Sequence, residues 1–115
     1  MNIHRGDIIL ISFDPSRGHE IKKTRPALVI QNNHACLHSP LLTVLPISSH
    51  PFQNRIFEVK IPKNQTNKLL TDSTIIINQA RTIDRDRCLK KLGKITPEIL
   101  KEVETKLLLH LGIAK

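Results

Sequence analysis

The side chains with chemical capacity in this 115-residue chain are arginine, lysine, histidine, serine and glutamate, with no recognisable nucleotide or metal motif around them. Six histidines raise the question of a metal, and His34, Cys36 and His38 would share one face of an extended segment. No Cys-x-x-Cys pair accompanies them and no fourth ligand stands out, so neither a metal site nor a cofactor is assigned. The four glycines, Gly6, Gly18, Gly93 and Gly112, are scattered, which leaves no glycine-rich phosphate loop. No serine lies in a Gly-x-Ser-x-Gly elbow. With three Phe and neither Tyr nor Trp, the chain offers few platforms for stacking single-stranded bases. Nucleic-acid recognition would then rest on Arg and Lys contacts and polar hydrogen bonds. One reaction suits Arg, His, Glu and Ser on a basic surface, namely metal-free cleavage of RNA. The substrate's own 2'-hydroxyl lies beside the scissile phosphate, so the protein need only hold sugar and phosphate in line, move protons and neutralise charge.

The charge distribution fits such a partner. Lys and Arg number 18 against 10 Asp and Glu, a formal net charge of +8, which favours polyanions through counterion release and steering. Between residues 81 and 94, Arg81, Arg85, Arg87, Lys90, Lys91 and Lys94 face only Asp84 and Asp86. A second group, Arg17, Lys22, Lys23 and Arg25, faces Asp14 and Glu20. Residues 98–106 are slightly acidic, so the basic surface is localised. The plain alternative is solvated charge that serves solubility alone.

These residues must be positioned by one domain spanning residues 1–115, since a chain this size builds a single core and not two lobes around a cleft. Its longest apolar runs, residues 8–11, 27–30 and 75–77, are far short of a membrane span, and the N-terminus resembles no secretory leader. A soluble, cytoplasmic protein without membrane contact is expected, with Cys36 and Cys88 as thiols. Short apolar runs punctuated by Pro and Gly predict strands over 7–13, 26–31, 41–47, 56–61 and 74–77, with 81–84 continuing the last past a bend. Pro46 suggests a strand end or edge. In 56–61, Ile56, Glu58 and Lys60 alternate with Phe57, Val59 and Ile61, so the first set is expected to face water. The segment around 34–38 reads as a hairpin end. At the C-terminus, Thr96 can cap a helix, Pro97 fits its first turn, Ile95 can staple onto Leu100, and Gly112 can end it. Ile99, Leu100, Val103, Leu107 and Leu111 would form its apolar stripe. The fold class is therefore mainly β with a C-terminal helix, a small β-barrel or strongly curled sheet with the helix packed on it.

Specific residues also match a family. Arg5-Gly6-Asp7-Ile8, Gly18-His19-Glu20 and Thr24-Arg25-Pro26-Ala27-Leu28-Val29-Ile30 resemble the opening of the MazF/PemK/Kid toxins of bacterial type II toxin-antitoxin modules. Val44-Leu45-Pro46-Ile47-Ser48 resembles a strand end of that family, and Asn78-Gln79-Ala80-Arg81-Thr82-Ile83-Asp84 resembles its Gln-x-Arg-Thr-Ile-Asp segment. The resemblance covers nearly the whole chain. It implies an SH3-like barrel of the CcdB/MazF type, a homodimer, and sequence-specific, metal-independent cleavage of single-stranded mRNA. It also implies an acidic MazE/PemI-like antitoxin whose tail covers the RNA groove.

By position, Arg25 matches the family's strand-opening catalytic arginine, Ser48 a position that helps hold the phosphate, and His19 the loop over the site. Glu20, Lys22, Lys23, Asn78, Gln79 and Arg81 are the implied RNA-binding residues. Asn78 departs from relatives that carry Asp or Glu there, which points to an altered RNA preference. Each residue also has a structural reading: Arg25 as a surface arginine, Ser48 as a turn residue, His19 and Glu20 as parts of a mobile loop, Arg81 as a pin across the sheet. Arginine is a poor base, so an electrostatic role suits Arg25. His19 and Glu20 both stand as candidates for the base. Two other functions compete. One is a gyrase poison of the CcdB kind, although Leu111-Gly112-Ile113 lacks that branch's tryptophan and Ala114-Lys115 follows. The other is a nucleic-acid-binding module with a degenerate site.

Overall fold

Seven strands and two helices follow one another as β1 (Asp7–Ser12), β2 (Thr24–Val29), α1 (Asn33–His38), β3 (Leu41–Ser48), β4 (Glu58–Ile61), β5 (Ser73–Ile76), β6 (Arg81–Asp84), β7 (Cys88–Lys94) and α2 (Pro97–Leu111). They are seen in a computed structural model that describes residues 1–113. The last two residues of the expected domain, including the Ala114-Lys115 noted above, lie outside the described residues. The antiparallel sheet runs β4-β5-β3-β2-β1-β7, with β6 also paired to β3. It curls into a body of 33 × 33 × 32 Å, but β4 and β7 at its ends are not paired, so the barrel stays open.

The near-continuous apolar runs of β1 and β2 have a direct cause, for the sheet carries a core on each face. Ile8, Leu28, Leu45 and Ile47 point to one core and Ile9, Ile11, Ala27, Val29 and Val44 to the other. Strands buried on both faces lose the alternation that marks a half-wet strand. Helix α2 covers the first core with Ile99, Leu100, Val103 and Leu107, while Cys36 of α1 enters the second. Thr96 accepts a bond from the Ile99 N–H, and Gly112 closes the helix at φ 72° in the left-handed region. Leu111 leaves the expected stripe: it is exposed, because the helix end runs beyond the core it covers.

Three further expectations change. Pro46 lies inside β3. It sits between the stretch paired to β6 (41–44) and the stretch paired to β5 (47–48), where no partner strand on that side needs its missing N–H. Residues 33–38 form a helix capped by Asn32, not a hairpin end. The His34 and His38 rings consequently lie 4.6 Å apart, tilted by 49°, outside while Cys36 is buried, so the three do not converge. Glu58 does not face water but is fully buried, and β4 begins only there.

Asp7 joins Lys91 of β7 at 3.0 Å and takes the His4 N–H at 2.8 Å, while the Arg5 guanidinium bonds the Ile30 carbonyl and Glu104 of α2. The Arg-Gly-Asp segment is thus a structural tie. Gly93 allows another: a Cβ there would lie 2.1 Å from the Thr66 carbonyl oxygen, part of a turn pressed onto β7. Gly93→Ala is expected to cost about 1 to 3 kcal/mol, as overpacking against backbone does, and thermal unfolding would show it as a lowered Tm.

Candidate active site

Strand β2 brings Arg25 to the mouth of a groove of about 720 Å³ whose lining includes Lys68, Lys90, Lys91, Leu10 and Leu92. Its Nε donates to the Lys22 carbonyl at 2.9 Å, which steadies the guanidinium and leaves the terminal nitrogens for a ligand. Lys91 is committed to Asp7, whereas among the described residues Lys68 and Lys90 have no carboxylate within ion-pair distance. The groove therefore carries a net positive field over partly apolar walls.

Beyond Arg25, β2 pairs with β3. Ala27, Leu28 and Val29 pair with Pro46, Leu45 and Val44, and the ladder ends at Ala27 and Pro46, two residues short of Arg25 and of Ser48, which itself pairs with Thr74 of β5. Ser48 is buried, and its Oγ lies 2.8 Å from His50 Nδ1. The other ring nitrogen, Nε2, is 3.1 Å from Glu58 Oε2. Glu58 Oε1 accepts the Gln53 and Arg55 N–H groups at 2.9 and 3.4 Å, and the Arg55 guanidinium stands 3.8 Å away. Thr74 Oγ1 holds the His50 carbonyl at 3.1 Å, and Lys106 of α2 holds the Glu58 carbonyl at 2.6 Å. Sequence reading missed His50 and Glu58. The one available signal was a histidine two residues past Ser48; the carboxylate comes from a neighbouring strand.

Burial alone would raise the Glu58 carboxyl pKa, but hydrogen bonds from Gln53, His50 and Arg55 together with the Arg55 charge outweigh it and hold the pKa below the ordinary 4.5. A carboxylate whose folded pKa is depressed stabilises the fold above its unfolded value, and that contribution is lost as pH falls through the folded value. Chemical denaturation followed from about pH 6 down to 3 should show stability falling below about 4.5, with the fall blunted in Glu58→Gln.

The remaining candidates gather elsewhere. His19, Glu20, Asn78, Gln79 and Arg81 line a separate cleft of about 410 Å³. Gln79 clamps the loop above it, accepting the Ile21 N–H at 2.5 Å and donating to the His19 carbonyl at 3.2 Å. Arg81 donates to the Phe13 carbonyl at 2.9 Å, and Glu20 accepts the Arg17 N–H at 2.6 Å. The exposed side chains of His19 and Asn78 make no such bonds among the described residues, and Lys22 and Lys23 stand on the exposed loop before β2. Within one subunit, then, Arg25 lines the groove with Ile47 and Ser49, the buried Ser48 between those two lines neither opening, and His19 faces the other one. Among the described residues no three His, Cys, Asp or Glu side chains form a metal-holding group.

Residues 4–111 match the sequence profile of a family described as PemK-like, MazF-like toxins of type II toxin-antitoxin systems. The chain is 33% identical to Endoribonuclease MazF of Staphylococcus saprophyticus, over 96% of this chain and 92% of that protein. It superposes on MazF of Deinococcus radiodurans with a TM-score of 0.85 and 27% identity, covering 97% and 98% of the two chains. The MazE-MazF structure from the same organism is also similar, with TM-score 0.79, 26% identity and 99% coverage of both chains.

Proposed function

The chain belongs to the PemK-like, MazF-like toxin family of type II toxin-antitoxin systems, and on that premise we propose that it is an endoribonuclease toxin that cleaves single-stranded RNA without a metal. The observation that carries this reading is Arg25, its terminal nitrogens uncommitted, at a groove that also holds Lys68 and Lys90. Arg25 faces the phosphate and neutralises the charge that grows as the 2'-hydroxyl attacks, and Ser48 contributes a hydroxyl from the end of β3. Lys68, Lys90 and the loop lysines Lys22 and Lys23 draw the backbone in, while His19 and Asn78 are free to read or move a base or sugar in the neighbouring cleft.

The partner implied by the MazE-MazF relatives is an antitoxin. An acidic, partly apolar segment is complementary to a groove that mixes Lys68, Lys90 and Arg25 with Leu10 and Leu92. A second copy is the other expected partner. Leu109, Leu111 and Ile113 at the exposed end of α2 and Ile56 and Leu70 on the loops flanking β4 remain more than half exposed, with Leu70 at 92%. A C2 pair would cover part of that surface and bring the cleft of one subunit toward the groove of the other. Light scattering at micromolar concentration should return roughly 26 kDa, twice the 13.1 kDa chain. A value near the monomer mass would count against a groove shared by two subunits.

Membership of the MazF-like family, Arg25 in a basic groove and the missing tryptophan disfavour gyrase poisoning. Incubation of the purified protein with a long unstructured RNA in EDTA tests the proposal directly. Discrete fragments support it. Intact RNA would leave a binding module or a poison of another target.

A further inference from the structure

From Ser48, which lies between the groove-lining Ile47 and Ser49 at the end of β3, a chain of hydrogen bonds runs into the β3–β4 loop, Ser48 Oγ to His50 Nδ1 and His50 Nε2 to Glu58 Oε2, that the role assigned to Ser48 does not use. We propose that His50, oriented by Glu58 and acting through the Ser48 hydroxyl, is the proton acceptor for attack by the RNA 2'-hydroxyl. This inference rests on the reading of the chain as a ribonuclease and names the base that the sequence leaves open between His19 and Glu20.

Each link has a geometric basis. Glu58 is 0% exposed and already accepts two backbone N–H groups, so its second oxygen is left to take a proton from His50 Nε2. A neutral imidazole whose Nε2 donates has a bare Nδ1, and Nδ1 is the atom facing Ser48. The Ser48 proton is then directed at the ring, and its oxygen, which also accepts the His50 N–H at 3.3 Å, keeps one lone pair for an incoming donor. As the 2'-oxygen bonds to phosphorus, its proton passes to Ser48 Oγ while the Ser48 proton passes to Nδ1. Ser48 ends unchanged, His50 becomes an imidazolium stabilised by Glu58, and the bond to the departing 5'-oxygen breaks. The departing 5'-oxygen, on the opposite side of the phosphorus, takes its proton from water, and the imidazolium returns its own to solvent. The charged groups around the ring are Glu58, Arg55 beside it, and Lys106 from α2, whose ammonium is spent on the Glu58 carbonyl. The His50 backbone is fixed by Thr74, and its side chain is 38% exposed, enough for the ring to exchange protons with solvent.

His19 faces a separate cleft and Glu20 is tied to the Arg17 N–H, so neither is linked to Ser48 within one subunit. Among the described histidines, His50 alone is hydrogen-bonded both to Ser48 and to a buried carboxylate.

The test is the pH dependence of RNA cleavage by wild type, His50→Gln and His19→Gln. Glutamine can span the gap between Ser48 and Glu58 but does not titrate. We expect wild-type activity to rise with pH as the proton acceptor loses its proton. His50→Gln should lose about 10²-fold at the high-pH end together with that rise, whereas His19→Gln should keep the rise. Added imidazole should restore part of the His50→Gly rate, with a pH dependence set by the imidazole. Unchanged binding of an all-2'-deoxy oligonucleotide and an unchanged Tm would confirm that His50→Gln is folded. A folded His50→Gln that keeps the wild-type rate and pH profile, or His50→Gly unresponsive to imidazole, overturns the inference while wild-type cleavage still upholds the ribonuclease. Wild type that fails to cleave RNA overturns both.

Discussion

Arg25→Ala is expected to cleave RNA about 10² to 10³ times more slowly than wild type while remaining folded. The size follows from the loss of one preorganised charge aimed at a phosphate whose negative charge grows in the transition state. The fold should survive because Arg25 is only partly covered and the bond its side chain makes, to the Lys22 carbonyl, belongs to an exposed loop. Arg25→Lys should recover only part of the rate, since an ammonium is a point charge and the guanidinium a planar fork able to hold two phosphate oxygens. Single-turnover rates at saturating protein separate this effect from weaker binding. A folded Arg25→Ala enzyme working near the wild-type rate would move the site to the cleft of Asn78 and Arg81.

The second large effect is ionic. If Arg25, Lys68, Lys90 and one loop lysine each meet a phosphate, four contacts give a slope of log affinity against log salt near −2.8, using about −0.7 per contact for a single strand. Raising salt from about 50 to 200 mM should then weaken binding of a non-cleavable oligonucleotide roughly 50-fold, and Lys68→Gln with Lys90→Gln should halve the slope. An acidic antitoxin peptide should compete for the same groove and show the same salt sensitivity, with RNA and peptide excluding one another in a fluorescence titration. A flat salt dependence would show that the groove is not the binding surface.

How much of this was legible in the sequence depends on what each segment had to satisfy. The strands around Ile8, Leu28, Leu45 and Ile75 announced themselves because burial demands apolar, β-branched runs, and α2 because Thr96, Pro97 and Gly112 mark its two ends. Strand β7 was hidden. Its Leu89, Lys90 and Lys91 are all exposed on a sheet edge, where charge and not alternation is what the structure requires. Helix α1 was hidden as well, since six residues hold too few turns to display a period. Arg25 and Ser48 could be found because both sit at the ends of legible strands. His50 and Glu58 could not, since Glu58 occupies a position whose alternation implies solvent. Only the fold shows that the β3–β4 loop, Arg55 and α2 close over it.

The central claim is that the protein supplies charge and proton transfer while the RNA supplies the nucleophile. Once fragments locate a cleaved step, an oligonucleotide carrying a single 2'-deoxy sugar at that step tests it in EDTA. The account predicts that this RNA binds as tightly as its all-ribose counterpart and stays intact, while the all-ribose strand is cut and bears a 2',3'-cyclic phosphate end. Cleavage of the deoxy-substituted step at an undiminished rate would contradict it, because the attacking oxygen would then have to come from water or from the protein.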